Sequence, residues 1–144
     1  MGFFSKAMPT TTQSGFANEQ DAYAAIMFAV ALSDGEIASD EIKNIVATIL
    51  SKKLFAGRNA EDVHQKIIEN LAKFKDLNEL LNAAVYKISN EQKEPLFATL
   101  VDMVLADGVV NEGEQQMLEK LKESLNISDA LTSKIIEVLL IKNR

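Results

Sequence analysis

Two acidic turns of one pattern stand in this chain: Asp34-Gly35-Glu36-Ile37-Ala38-Ser39-Asp40-Glu41 and Asp107-Gly108-Val109-Val110-Asn111-Glu112-Gly113-Glu114. Each reads Asp-Gly-x-(Ile/Val)-x-x-x-Glu, and the copies lie 73 residues apart, half the length of the 144-residue chain. Carboxylates spaced along a glycine turn suit the binding of a hard cation. The calcium loop of an EF-hand places Gly sixth, a backbone carbonyl ligand seventh, an aliphatic residue eighth and a bidentate Glu twelfth. Gly35, Glu36, Ile37 and Glu41 fall on those places, as do Gly108, Val109, Val110 and Glu114, with Asp34 and Asp107 fifth.

The match stops at the first and third places, which Val30 and Leu32 hold in one copy and Met103 and Leu105 in the other. What survives is a half-site offering roughly four oxygens where calcium takes six to eight. Asp40 and Glu112 are the nearest additional acids, and two loops side by side, with Ile37 facing Val110, would pool their oxygens. The expected site is therefore Asp34, Glu36, Asp40, Glu41, Asp107, Glu112 and Glu114, holding a divalent cation weakly or moderately, calcium before magnesium or zinc. The same residues admit a metal-free reading. Glu41 and Glu114 fall in the first turns of helices, where a carboxylate meets the positive end of the helix dipole, and Asn111-x-x-Glu114 is a capping box. Asp34 and Asp107 fit that account less well, because a carboxylate ending a helix faces the dipole's negative end and wants loop N–H groups or a cation.

The elements that carry these turns are helical. Apolar residues recur at helical spacing almost throughout and strand signals are nearly absent, so the fold class is all-α, a compact bundle of about seven helices. Their expected spans are 19–33, 39–55, 60–74, 76–88, 92–106, 112–125 and 129–141. Each acidic turn joins two of them, so the repeat is a helix-loop-helix unit with halves around 19–55 and 92–125, related by internal pseudo-two-fold similarity. Gly35 and Gly108 suit the left-handed residue after a helix, Gly57 closes the second helix, and Asn126-Ile127-Ser128-Asp129 makes a turn and a cap. Pro95 belongs near a first helical turn, which sets the fifth helix to begin near Gln92 or Lys93. The last helix, Leu131 to Ile141, is apolar on most of its circumference, which means burial at the centre of the bundle or partial burial in a partner, and the central place is the one expected. Residues 1–17, with the polar stretch Thr10 to Gly15, read as a flexible arm ahead of a single domain over 18–144.

Composition removes several function classes. There is no cysteine, and hence no disulfide, zinc-thiolate site or thiol redox chemistry. A net charge of −6 with scattered lysines argues against a nucleic-acid partner. No apolar run reaches the ~20 residues of a membrane span, so the chain reads as cytoplasmic, with membrane contact at most peripheral through Gly2 to Met8. His64, among Glu61, Asp62, Gln65 and Lys66, reads as a surface residue, and no catalytic triad can be assembled.

Ser33-Asp34-Gly35 through Glu41, Ala106-Asp107-Gly108 through Glu114, the closing Leu125-Asn126-Ile127-Ser128-Asp129 and the opening Met1-Gly2-Phe3-Phe4-Ser5-Lys6 together resemble the TerB-like tellurite-resistance family of bacteria. The resemblance implies a seven-helix cytoplasmic protein linked to tellurite and related stresses, with its acidic turns, a suspected metal or ligand site, at Asp34, Glu41, Asp107 and Glu114. The chain departs from the pattern where Ala38 stands in place of the polar cap found at Asn111, and where Gly113 stands in place of the acid found at Asp40.

Reducing tellurite needs a thiol or a redox cofactor, and the chain has neither a cysteine nor a Gly-x-Gly-x-x-Gly loop, so no organic cofactor is expected. The expected role is a non-enzymatic, cation-responsive adaptor working with other stress-response proteins, with a homo-oligomer left open. Two alternatives remain at this level. One is a metal-free interaction module whose turns are helix caps. The other is a carboxylate hydrolase pairing Asp34 with Glu41, which would need a pocket that raises one pKa.

Overall fold

A computed structural model describes residues 15–33, 38–106 and 108–144. Among these residues there is no strand, and the helical periodicity becomes seven α-helices: α1 Glu19–Ala31, α2 Ser39–Leu50, α3 Ala60–Lys73, α4 Leu77–Lys87, α5 Asn90–Ala106, α6 Glu112–Ser124 and α7 Asp129–Lys142, with one 3₁₀ turn at Lys53–Phe55. The all-α class is as the apolar spacing predicts. Contacts divide the chain into two units, one built from residues up to Phe28 with Ser39–Ile88, the other from Ala29–Ala38 with Ser89–Arg144.

Three elements differ from expectation. The second helix does not run to residue 55. The Ser51 hydroxyl donates to the Thr48 carbonyl, a local bond that competes with continuation of the helix, and the chain then makes its 3₁₀ turn to bury Phe55. Gly57 is left-handed, at φ +89°, but it follows the 3₁₀ turn rather than α2. The fifth helix begins at Asn90, before the expected start, so Pro95 sits in its second turn. There it forgoes the bond to the Glu91 carbonyl; both residues are exposed, and solvent can serve that oxygen.

The third difference is the largest. Helix α7 is not central: none of its residues is buried, and Val138 and Ile141 are 61% and 55% exposed. The fully buried helix is α1, every residue of which from Ala22 to Val30 is buried. Both helices are apolar nearly all round, but α1 has no charge from Ala22 onward, whereas α7 spaces Asp129, Lys134, Glu137 and Lys142 along its length. Charged heads prefer water, and they keep α7 at the surface.

In the first unit, α2 packs on α3 with Ile45, Val46 and Ile49 buried on one and Val63 and Ile67 on the other. Each such side chain contributes about 1.5–3 kcal/mol by leaving water. Tyr23 meets Phe55 edge to face at 5.7 Å, and Phe16 stacks on Phe74 at 5.4 Å, so the chain is already held at Phe16. One polar cluster fastens the start of α1 to the loop before α3. Asp21 is only 4% exposed, and Arg58 donates to it at 3.2 Å while also binding Asp62 and, at 2.6 Å, Gln20. The Gln20 amide in turn donates to the Leu54 carbonyl at 2.6 Å. Burial works against the Arg58 charge, but hydrogen bonds to Asp62 and Asp21 more than offset it and raise the guanidinium's pKa.

In the second unit, α5 packs against both α6 and α7, burying Leu96, Phe97, Leu100, Val101 and Val104 with Leu121, Leu125 and Ile127. Asn126, left-handed at φ +63°, ends α6 in a Schellman turn, with the Ile127 N–H bonded to the Lys122 carbonyl, and Ser128 caps α7. Lys122 reaches Asp129 at 2.6 Å; this hydrogen bond holds the Asp129 carboxyl below its ordinary range. Asp102 holds the far end of α7 through Lys142 and Asn143.

Replacing Arg58 with Met leaves Asp21 buried without its cation, and should cost roughly 3 kcal/mol of unfolding free energy. Asp62→Asn, at a partly exposed position, should cost under about 1 kcal/mol. Urea unfolding of the two variants checks the contrast; equal small losses would show that the cluster does not secure α1.

Candidate functional site

Of the seven acids expected at the site, Asp34, Glu36 and Asp107 lie outside the described residues, as do Gly35 and Ile37. Asp40 and Glu41 are exposed in the first turn of α2, and Glu112 is exposed in the first turn of α6, where the Gln116 amide donates to it at 3.3 Å. Of the four described acids of this expected site, Glu114 alone is buried, at 8% exposure. Among the described residues no three His, Asp or Glu side chains gather into a group able to hold a metal.

The second turn is built in detail. The Gly108 N–H closes the end of α5 on the Leu105 carbonyl at 3.1 Å, and Gly108 takes φ +80°, the left-handed conformation that the glycine of this turn is expected to supply. Val109 and Val110 then pass through solvent-exposed positions to Asn111, which is extended and caps α6. The capping box is complete. The Asn111 side chain accepts from the Glu114 N–H at 2.7 Å, and the Glu114 carboxylate accepts from the Asn111 N–H at 3.2 Å. Capping draws on part of a carboxylate's capacity, since its two oxygens offer about four acceptor sites. With Glu112 and Glu114 both in the first turn of α6, negative charge is concentrated where the helix dipole stabilises it.

Gly113 explains one of the two departures from the repeat. A Cβ built on it would lie 2.9 Å from the Ser33 carbonyl oxygen, a backbone atom that cannot swing aside. Ser33 is itself held, its N–H and hydroxyl both donating to the Val30 carbonyl at 3.2 and 2.7 Å. The end of α1, immediately before Asp34, therefore lies against the first turn of α6 in the second unit, and the place held by Asp40 in the other copy must here be glycine. A glycine in a helix's first turn, where its counterpart is an acid, was the sequence signal for this approach. It was legible as an anomaly and not as a contact.

His64 is exposed, as expected. Among the described residues no helix is long and apolar enough to cross a membrane. Gly113→Ala supplies the test of the close approach. An exposed helical glycine replaced by alanine ordinarily gains up to about 1 kcal/mol. Here the substitution should instead lose about 1–3 kcal/mol through the clash, read from chemical unfolding. A gain would show that the α1 end and α6 are not in contact.

Comparison with known proteins agrees with the resemblance drawn from the turns. No curated protein and no solved structure matches the chain significantly. The family model of tellurite resistance protein TerB matches residues 20–135, a span that takes in both acidic turns and all of α2 to α6. The chain therefore belongs to the TerB tellurite-resistance family.

Proposed function

We propose that this protein is a non-enzymatic, cytoplasmic adaptor of the tellurite and stress response that binds a divalent cation, calcium by preference, through its paired acidic turns. The observation that carries the reading is the approach of Gly113 to the Ser33 carbonyl, which sets the residue before Asp34 against the helix that carries Glu112 and Glu114. Two half-sites of about four oxygens each fall short of calcium's six to eight; two that lie together do not. The second turn supports the reading as well, because its left-handed Gly108, capping Asn111 and first-turn Glu114 fall on the sixth, ninth and twelfth places of a calcium loop. Asp34, Glu36 and Asp107 are the proposed remaining ligands. Partner proteins of the same stress response would read the cation-bound state of the turns.

A second reading is favoured by one observation: Glu114 is already engaged in capping. On that reading the turns are architecture, and the protein is a metal-free interaction module.

Calorimetric titration of chelator-stripped protein with calcium, then magnesium and zinc, separates the two. The cation reading expects stoichiometric calcium binding with a dissociation constant on the order of 10⁻⁴ M, abolished in the Asp34→Asn/Asp107→Asn variant. Absence of heat with all three cations would leave the turns as helix caps and move the search to protein partners.

A further inference from the structure

Two surfaces of this chain are apolar and uncovered, and their chemistry matches. The first is the groove between α2 and α3 in the first unit, with a volume of about 540 Å³. Ile42 and Leu50 of α2, both part-exposed, form its apolar side above the buried Val46, and Ala60, Glu61 and His64 of α3 form the other. Residues 42 to 50 cover roughly 12 Å of helix axis, the length of two turns of a docked helix. The second surface is α7, whose outward residues include Val138 and Ile141.

Charge selects the occupant. Along α3 the exposed residues Glu61, His64 and Ile68 recur at i, i+3 and i+7, which puts them on one face, and Ile68 is 50% exposed. Along α7 the exposed residues Lys134, Glu137 and Ile141 recur at the same spacing, with the Lys134 cation in the place that Glu61 holds on α3. Set parallel, Lys134 falls opposite Glu61, Glu137 opposite the imidazole of His64, and Ile141 opposite Ile68. Val138, beside that stripe, is then placed to enter the apolar side of the groove. Lys43 at the groove's edge supplies a cation for Glu137. None of Glu61, His64, Lys134 and Glu137 takes part in an ion pair within the chain among the described residues.

We propose that α7 of one copy docks into the α2/α3 groove of a second copy, as an amphipathic helix in an apolar groove. The contact is heterologous, since the two surfaces differ. It leaves the docked pair with one groove and one α7 still to offer, so association proceeds to a ring or an open chain. This goes beyond cation binding and does not depend on it.

Sedimentation velocity over a wide concentration range tests the inference. Wild-type protein should associate as concentration rises. A variant reversed on the helix, Lys134→Glu/Glu137→Lys, and one reversed on the groove, Glu61→Lys/His64→Glu, should each associate at least about tenfold more weakly. Mixing the two variants in equal amounts should restore association, because every helix then finds a groove of matching charge. A wild type that stays monomeric would overturn the proposal. So would variants that associate like wild type, or a mixture that does not recover.

Discussion

The approach of Gly113 to the Ser33 carbonyl is the contact on which the functional account depends. Nothing larger than hydrogen fits on the Gly113 Cα, so the end of α1 and the start of α6 meet backbone to backbone. Backbone contacts of this kind fix position more tightly than side chains do, because neither partner can rotate away. Ser33 directly precedes Asp34 in the chain, and Glu112 and Glu114 flank Gly113. The dipole of α6 favours Glu112 and Glu114 in its first turn, and the capping box engages the Glu114 carboxylate.

The surrounding packing serves that placement. Helix α1 is buried from Ala22 to Val30, which leaves its last turn little freedom. Its first turn is held by the Arg58 cluster, where one guanidinium binds two carboxylates and a glutamine amide. The α5 end of the second turn is fixed by the Gly108 N–H on Leu105, and the α6 end by the reciprocal bonds of Asn111 and Glu114.

Much of this was legible in the residues. Six helix starts and the capping box of α6 follow from apolar spacing and cap chemistry, which are local, and the family follows from the turns themselves. Long-range facts were not legible. The break after Leu50 arises from the Ser51 hydroxyl and from the burial of Phe55, and Pro95 within α5 depends on where solvent is at hand. The exchange of roles between α1 and α7 had a signal that apolar periodicity alone overlooks: four charges on α7 against none on α1 after Asp21. Gly113 showed itself only as a residue out of pattern, since the carbonyl that excludes a side chain comes from 80 residues earlier in the chain.

The central claim is that the two acidic turns respond to a cation as one unit. Hydrogen exchange of the backbone amides in residues 33–41 and 107–114, compared with and without calcium in chelator-stripped protein, tests it most directly. The account predicts that calcium slows exchange in both turns, and that Asp34→Asn alone removes the protection from the second turn as well as the first. Exchange that calcium leaves unchanged, or protection of the second turn that survives Asp34→Asn, would contradict it.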